Sequence, residues 1–178
     1  MKELILGGAR SGKSRYAEQR ATESGLEVIY IATARADDEE MALRIGHHRD
    51  RRPNHWMTAE APTALACALQ HHAALHRCLI VDCLTLWLSN ILADQQGNFT
   101  ETLFRAERQA LLDTLPTLPG KICLVSNEVG QGVVPVNPLA RRFVDEAGWL
   151  HQALAQQCDR VVFLTVGLPQ ILKEPPRT

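Results

Sequence analysis

The 178-residue chain lacks an excess of charge of either sign: 19 lysines and arginines stand against 20 aspartates and glutamates, a formal net charge of -1. No global basic field therefore exists to hold a nucleic acid or an anionic membrane, so neither is an expected partner and any anion site must be local. A cysteine framework is lacking too. Cys67, Cys78, Cys83, Cys123 and Cys158 are odd in number and show no Cys-x-x-Cys spacing, which argues against disulfides and fits a reducing, cytoplasmic compartment. They are expected as small buried apolar residues. No run approaches the length of a membrane span, and Lys2-Glu3 precedes too short an apolar stretch for a signal peptide. Internal repeats and low-complexity segments are missing as well. What remains is a chain with 46% hydrophobic and 22% charged residues, long enough to bury a core and read as one domain over 1–178.

Within it, short apolar runs alternate with segments of helical period, the pattern of a parallel sheet covered by helices on both faces. Strands are expected at Leu4-Ile5-Leu6, at 28–31, 79–81 and 122–125, with a fifth at 161–166. Their continuous apolar character fits burial on both faces. Helices are expected at 13–24, 38–48, 62–76, 84–93, 100–115 and 138–157, and the tail from Glu174 onward is expected to fray.

Residues Gly7, Gly8, Ala9, Arg10, Ser11, Gly12, Lys13 and Ser14 follow the first strand and match the phosphate-loop pattern G-x-x-x-x-G-K-[ST]. Glycines let backbone N–H groups curl around an anion, and the helix starting near Lys13 adds its positive end. Lys13 reaches the β and γ phosphates in such a loop, and Ser14 offers a hydroxyl to Mg2+. A strand-end carboxylate is also needed for the metal shell. Asp82 fills that place after Leu79-Ile80-Val81; the weaker alternative is the N-cap of the next helix. Glu128, after Val125-Ser126-Asn127, either orients a substrate hydroxyl or caps a turn.

The segment 37–52 carries acids first and bases last, as a polarised surface helix would. Yet Arg44, Arg49, Arg51 and Arg52 around His47 and His48 also form a local anion site. A neutral imidazole there is a competent nucleophile toward phosphorus. His72 and His76 lack a third zinc ligand and read as a solvated helix face, as does His151. His55, beside Trp56, either contributes to a ligand surface or packs as an ordinary loop residue, the reading favoured here.

Taken in order, GGARSGKSRYAE, YIATA, DDEEMALRIGHHRDRRP, the HW-x-T-x-E stretch at His55 to Glu60, VDCLTLWLSN and NEVGQGVVPVNPLARRF resemble the bifunctional adenosylcobinamide kinase and adenosylcobinamide-phosphate guanylyltransferase family, over nearly the whole chain. The resemblance implies a P-loop NTPase with a RecA-like, mostly parallel sheet, assembled as a homotrimer. It implies phosphorylation of adenosylcobinamide by ATP or GTP, then transfer of GMP from GTP to adenosylcobinamide phosphate. His47 matches the residue that carries the GMP. Nucleotide contacts are implied at the phosphate loop, at Thr33, Ala34 and Arg35, at His48, Arg49, Asp50 and Arg51, and at Glu60 and Asp82. One departure stands out: Trp149-Leu150-His151-Gln152 occupies the place of an Asn-Gln pair, which puts a local helix contact in doubt, at the subunit interface if anywhere, and leaves the chemistry untouched. Two rivals use the same loop differently. A monofunctional kinase would leave His47 inert, and a GTP-regulated switch would need an Asn-Lys-x-Asp motif that this chain lacks.

Overall fold

The computed structural model describes residues 1–35, 46, 53–94 and 96–175. Along the chain run β1 (Lys2–Gly7), α1 (Lys13–Thr22), β2 (Glu27–Ala32), β3 (Met57–Glu60), α2 (Leu65–His72), β4 (Arg77–Asp82), α3 (Leu84–Leu92), α4 (Glu101–Thr114), a 3-10 turn (Leu115–Thr117), β5 (Lys121–Asn127), α5 (Pro138–Gln157), β6 (Arg160–Thr165) and β7 (Leu168–Lys173). The strands form one seven-stranded sheet in the order β3-β2-β4-β5-β1-β6-β7. Neighbours run parallel except β6 and β7, which form an antiparallel hairpin. The expected helix at 38–48 lies outside the described residues, apart from residue 46.

The pleat sorts side chains between two cores. Leu4, Leu6, Ile29, Ile31, Leu79, Val81, Ile122 and Leu124 face one side, where Leu65, Leu69, Trp87, Ile91, Phe104, Leu111, Leu150 and Leu154 of α2 to α5 cover them. Ile5, Val28, Tyr30, Ile80, Cys123, Val125 and Val162 face the other, against Ala17 and Ala21 of α1. Burial on both faces therefore accounts for the unbroken apolar runs. The inner strands are the ones the sequence marks.

The two edge strands carry no such mark. β3 exposes Met57, Thr58 and Glu60, and all six residues of β7 are exposed, so neither carries a buried apolar run. Pro169 suits β7 because an edge strand tolerates a residue without an N–H donor. The helix expected at 62–76 is confined to Leu65–His72, which leaves His76 in the turn before β4, its Nε2 3.4 Å from Glu27 Oε2. By contrast α5 spans 138–157 as expected: the Asn137 side chain accepts from the Ala140 amide at 3.0 Å, and Pro138 opens the first turn. Four of the five cysteines are buried, but Cys67 is exposed on α2. Trp56 packs beside the α1-side core, whereas His55 is exposed and not packed as expected.

Candidate active site

The C-terminal ends of β1 to β5 line one edge of the sheet, and the strand register brings the predicted residues there. Ala32 lies opposite both Glu60 and Asp82, Asp82 opposite Val125, and Gly7 opposite Asn127. Ligands of open α/β sheets bind at this edge.

The phosphate loop links β1 to α1 there. Gly7 has φ 152°, and a Cβ on it would collide with the Leu164 carbonyl of β6 and crowd Ser11 Oγ. Gly12 caps α1 with φ 97°, a left-handed conformation that glycine adopts without strain. Between them the loop is closed by the Ser11 amide on the Gly8 carbonyl at 3.2 Å, and by the Gly167 amide on the Ser11 carbonyl at 3.0 Å. Lys13 is 6% exposed; its ammonium donates to the Gly8 carbonyl at 2.6 Å and to Ser11 Oγ at 3.5 Å. Burial lowers its pKa, and the charge of Asp82 draws it partly back. The loop thus holds a cation enclosed at a helix start without acidic residues. Any multiply charged anion would relieve that burial.

Asp82 ends β4 half-buried, and its Oδ2 accepts from the Tyr30 hydroxyl at 2.7 Å. The N-cap of α3 is Cys83, with no side-chain cap bond. The capping role for Asp82 is therefore excluded, and its charge acts on the loop lysine. Thr33 is spent on structure: its hydroxyl donates to the Cys83 carbonyl at 2.7 Å and accepts from the Cys83 amide at 2.8 Å, while Asn90 bonds its carbonyl at 2.9 Å. Ala34 and Arg35 are the more accessible part of that loop, and Glu60 is exposed at the end of β3. His47, His48, Arg49, Asp50 and Arg51 lie outside the described residues.

Sequence reading misses the wall behind the loop. His151 is buried, 2.8 Å from Ser126 Oγ through Nε2, and is not the solvated residue expected. The departure at Trp149 to Gln152 therefore bears on the interior beside the site; only Trp149 and Gln152 of it are exposed. Spacing holds the signal, since helical periodicity places 147, 150, 151 and 154 on one face of α5, where Ala147, Leu150 and Leu154 are buried with His151. Burial lowers the His151 pKa from the ordinary 6.5, opposed by the charge of Glu128. The folded state thus resists the proton that the unfolded chain accepts, so stability is greatest with the imidazole neutral and falls as pH drops below about 6.5. A His151→Asn protein is expected to lose less of its thermal midpoint than the parent between neutral and mildly acidic buffer.

Comparison with known proteins accords with this geometry. The family model described as cobinamide kinase / cobinamide phosphate guanyltransferase matches residues 3–172. The bifunctional adenosylcobalamin biosynthesis protein CobP of Pseudomonas aeruginosa is 59% identical over 176 residues, 99% of each chain. CobU of Escherichia coli, with the same descriptive name, is 39% identical over 174 residues, 93% of this chain and 96% of the relative. Among solved structures, the RadB recombinase is similar in fold with TM-score 0.52 at 16% identity, covering 91% of this chain and 73% of that one. The ATPase domain of a second protein gives TM-score 0.53 at 12% identity, covering 99% and 78%. The RecA-like arrangement expected for a phosphate-loop nucleotide-binding protein is thus the one adopted. With its model matched across the whole sheet and the loop, acid and strand order in place, the chain belongs to the cobinamide kinase / cobinamide phosphate guanyltransferase family.

Proposed function

We propose that the chain phosphorylates the aminopropanol hydroxyl of adenosylcobinamide with ATP or GTP, then transfers GMP from GTP through a guanylyl-histidine on His47 to give adenosylcobinamide-GDP. The observation that carries the reading is the enclosed Lys13 in a closed phosphate loop, with the charge of Asp82 acting on it from β4. Lys13 and the loop amides hold the triphosphate and take up negative charge as it moves onto the leaving phosphate. Arg49 and Arg51, beside His47 in sequence, supply cations to the transferred phosphate. Different phosphorus atoms react in the two steps, γ with an alcohol and α with His47, so the nucleotide or the His47 segment must shift between them. The bifunctional names of the relatives weigh against a kinase alone.

Mg2+ fits the residues present. Ser14 and Asp82 are hard oxygen donors, and among the described residues no group of three His, Cys, Asp or Glu side chains forms a cage. A metal held by few protein oxygens and by substrate phosphates is the habit of magnesium, which when bound supplies charge neutralisation at the β and γ phosphates. Asp82→Asn keeps the shape and removes the charge. It is expected to raise the magnesium concentration needed for half-maximal phosphorylation, with partial recovery at high Mg2+; an unchanged magnesium titration would refute the metal role.

Mixing the protein with GTP and Mg2+ and measuring intact mass tests the whole reading. One added GMP per chain is expected. Assembly as a homotrimer finds support in the exposed apolar residues Val133, Val134, Val136 and Trp149, and light scattering gives the copy number. A cytoplasmic site of action is supported by five unpaired cysteines; among the described residues no helix is long and apolar enough to cross a membrane.

A further inference from the structure

A line of polar contacts runs through the wall of the phosphate site and ends on Glu128. The Asn127 amide, at the end of β5, donates to Thr85 Oγ1 at 2.7 Å. Thr85 Oγ1 lies 3.2 Å from Ser126 Oγ, and Ser126 Oγ lies 2.8 Å from His151 Nε2. His151 Nδ1 in turn lies 3.8 Å from Glu128 Oε2. One set of directions satisfies the three hydrogen bonds and leaves the 3.8 Å approach to Glu128 as a longer polar contact. The Thr85 hydroxyl accepts from the amide and donates to Ser126; Ser126 donates to Nε2; the neutral imidazole keeps its single proton on Nδ1, facing the carboxylate. Lowering of the His151 pKa by burial agrees with that neutral form.

The other side of Glu128 is hydrogen-bonded to the backbone. Its Oε1 accepts from the Gly130 amide at 2.5 Å, and its own amide donates to the carbonyl of Gly7, the first residue of the phosphate loop, at 2.9 Å. Its side chain is 21% exposed. Ser126 is 1% exposed, so it is no nucleophile toward an external substrate. Among the described residues, no lysine or arginine forms an ion pair with Glu128. Burying a histidine and a serine inside an otherwise apolar wall costs desolvation that apolar side chains would avoid. What the arrangement achieves is a carboxylate fixed in orientation, open to solvent, next to the phosphate loop and uncommitted to phosphate or metal.

We infer that Glu128 is the catalytic carboxylate of the phosphoryl transfer to the alcohol, and that His151 is the positioning residue that holds it. This rests on the reading of function given above. The acceptor hydroxyl donates its hydrogen bond to Glu128 while its oxygen approaches the γ phosphorus. The new O–P bond forms as the bond from γ phosphorus to the β,γ-bridging oxygen breaks, the electron pair leaves with the nucleoside diphosphate, and the alcohol proton passes to Glu128 and on to water. Guanylyl transfer has no alcohol acceptor: GMP passes to a phosphate oxygen that carries no proton to remove. The inference therefore separates the two activities.

Supplying each substrate separately tests it. Glu128→Gln is expected to lower kcat for phosphorylation of adenosylcobinamide by about a hundredfold, the scale of lost general-base catalysis, with the KM for ATP unchanged. Transfer of GMP to adenosylcobinamide phosphate should stay near the parental rate. His151→Asn, which retains an N–H near the Nδ1 position, should phosphorylate faster than His151→Gln, whose amide replaces Nε2 and leaves no donor toward Glu128. Parental phosphorylation by Glu128→Gln would overturn the inference. So would an equal fall of both activities in folded Glu128→Gln, since that is what a structural role predicts. A parent that guanylylates but never phosphorylates adenosylcobinamide would refute the reading of function itself, and this inference with it.

Discussion

Lys13→Ala is expected to lose at least about a hundredfold in both phosphorylation and guanylyl transfer, the scale of removing one preorganised electrostatic partner. Both reactions need the triphosphate gripped while charge redistributes, and Lys13 is the enclosed cation at the loop, bonded to the Gly8 carbonyl and reaching Ser11. Burial lowers its pKa and the charge of Asp82 draws it partly back, so a bound phosphate would offset the cost of enclosing the ammonium. Alanine also removes the internal bond that shapes the loop, so circular dichroism and thermal melting must accompany the rates. A folded Lys13→Ala protein with near-parental turnover would refute the cradle.

His47→Ala is expected to abolish covalent labelling by GTP labelled at the α phosphate, and with it guanylyl transfer, while phosphorylation persists with ATP supplied. The proposed adduct is a phosphoramidate, so its P–N bond should be acid-labile and comparatively stable to base. His48→Ala should weaken labelling through lost positioning without eliminating it. A surface helix with no chemistry predicts something different for either change: a stability effect typically within about half a kcal/mol, and both activities intact. Stoichiometric labelling of His47→Ala would defeat the assignment. Labelling lost in His48→Ala alone would move the nucleophile one residue along.

What the sequence makes legible is what physical chemistry repeats. Inner strands announce themselves because burial on both faces demands unbroken apolar runs such as Leu4-Ile5-Leu6, and the loop Gly7 to Ser14 because its backbone needs glycine at fixed positions. Edges stay hidden: Met57–Glu60 and Leu168–Lys173 are strands by virtue of the neighbour they pair with, and nothing in their exposed side chains records that neighbour. The same limit applies to polar burial. His151 and Ser126 lie far apart in sequence and meet only once α5 packs on β5, so a lone histidine on a helix reads as solvated until its partner is known. Asp82 is ambiguous for a local reason, since an acid before a helix suits either a cap or a metal, and only the Tyr30 bond and the position of Cys83 at the cap divide them.

The place of β1 in the sheet has a consequence for synthesis. This strand pairs with β5 and β6, which follow it much later in the chain, and the Ser11 carbonyl of the loop is bonded by Gly167 in the β6–β7 turn. On a ribosome, at roughly 5–20 residues per second, the apolar β1 stays unpaired until β5 has been made. Such non-local pairing also slows folding, because loop closure precedes its reward. Closure of the phosphate loop by the Gly167 amide thus waits for the β6–β7 turn, and before β5 is made the unpaired β1 is an apolar segment that shielding factors would cover.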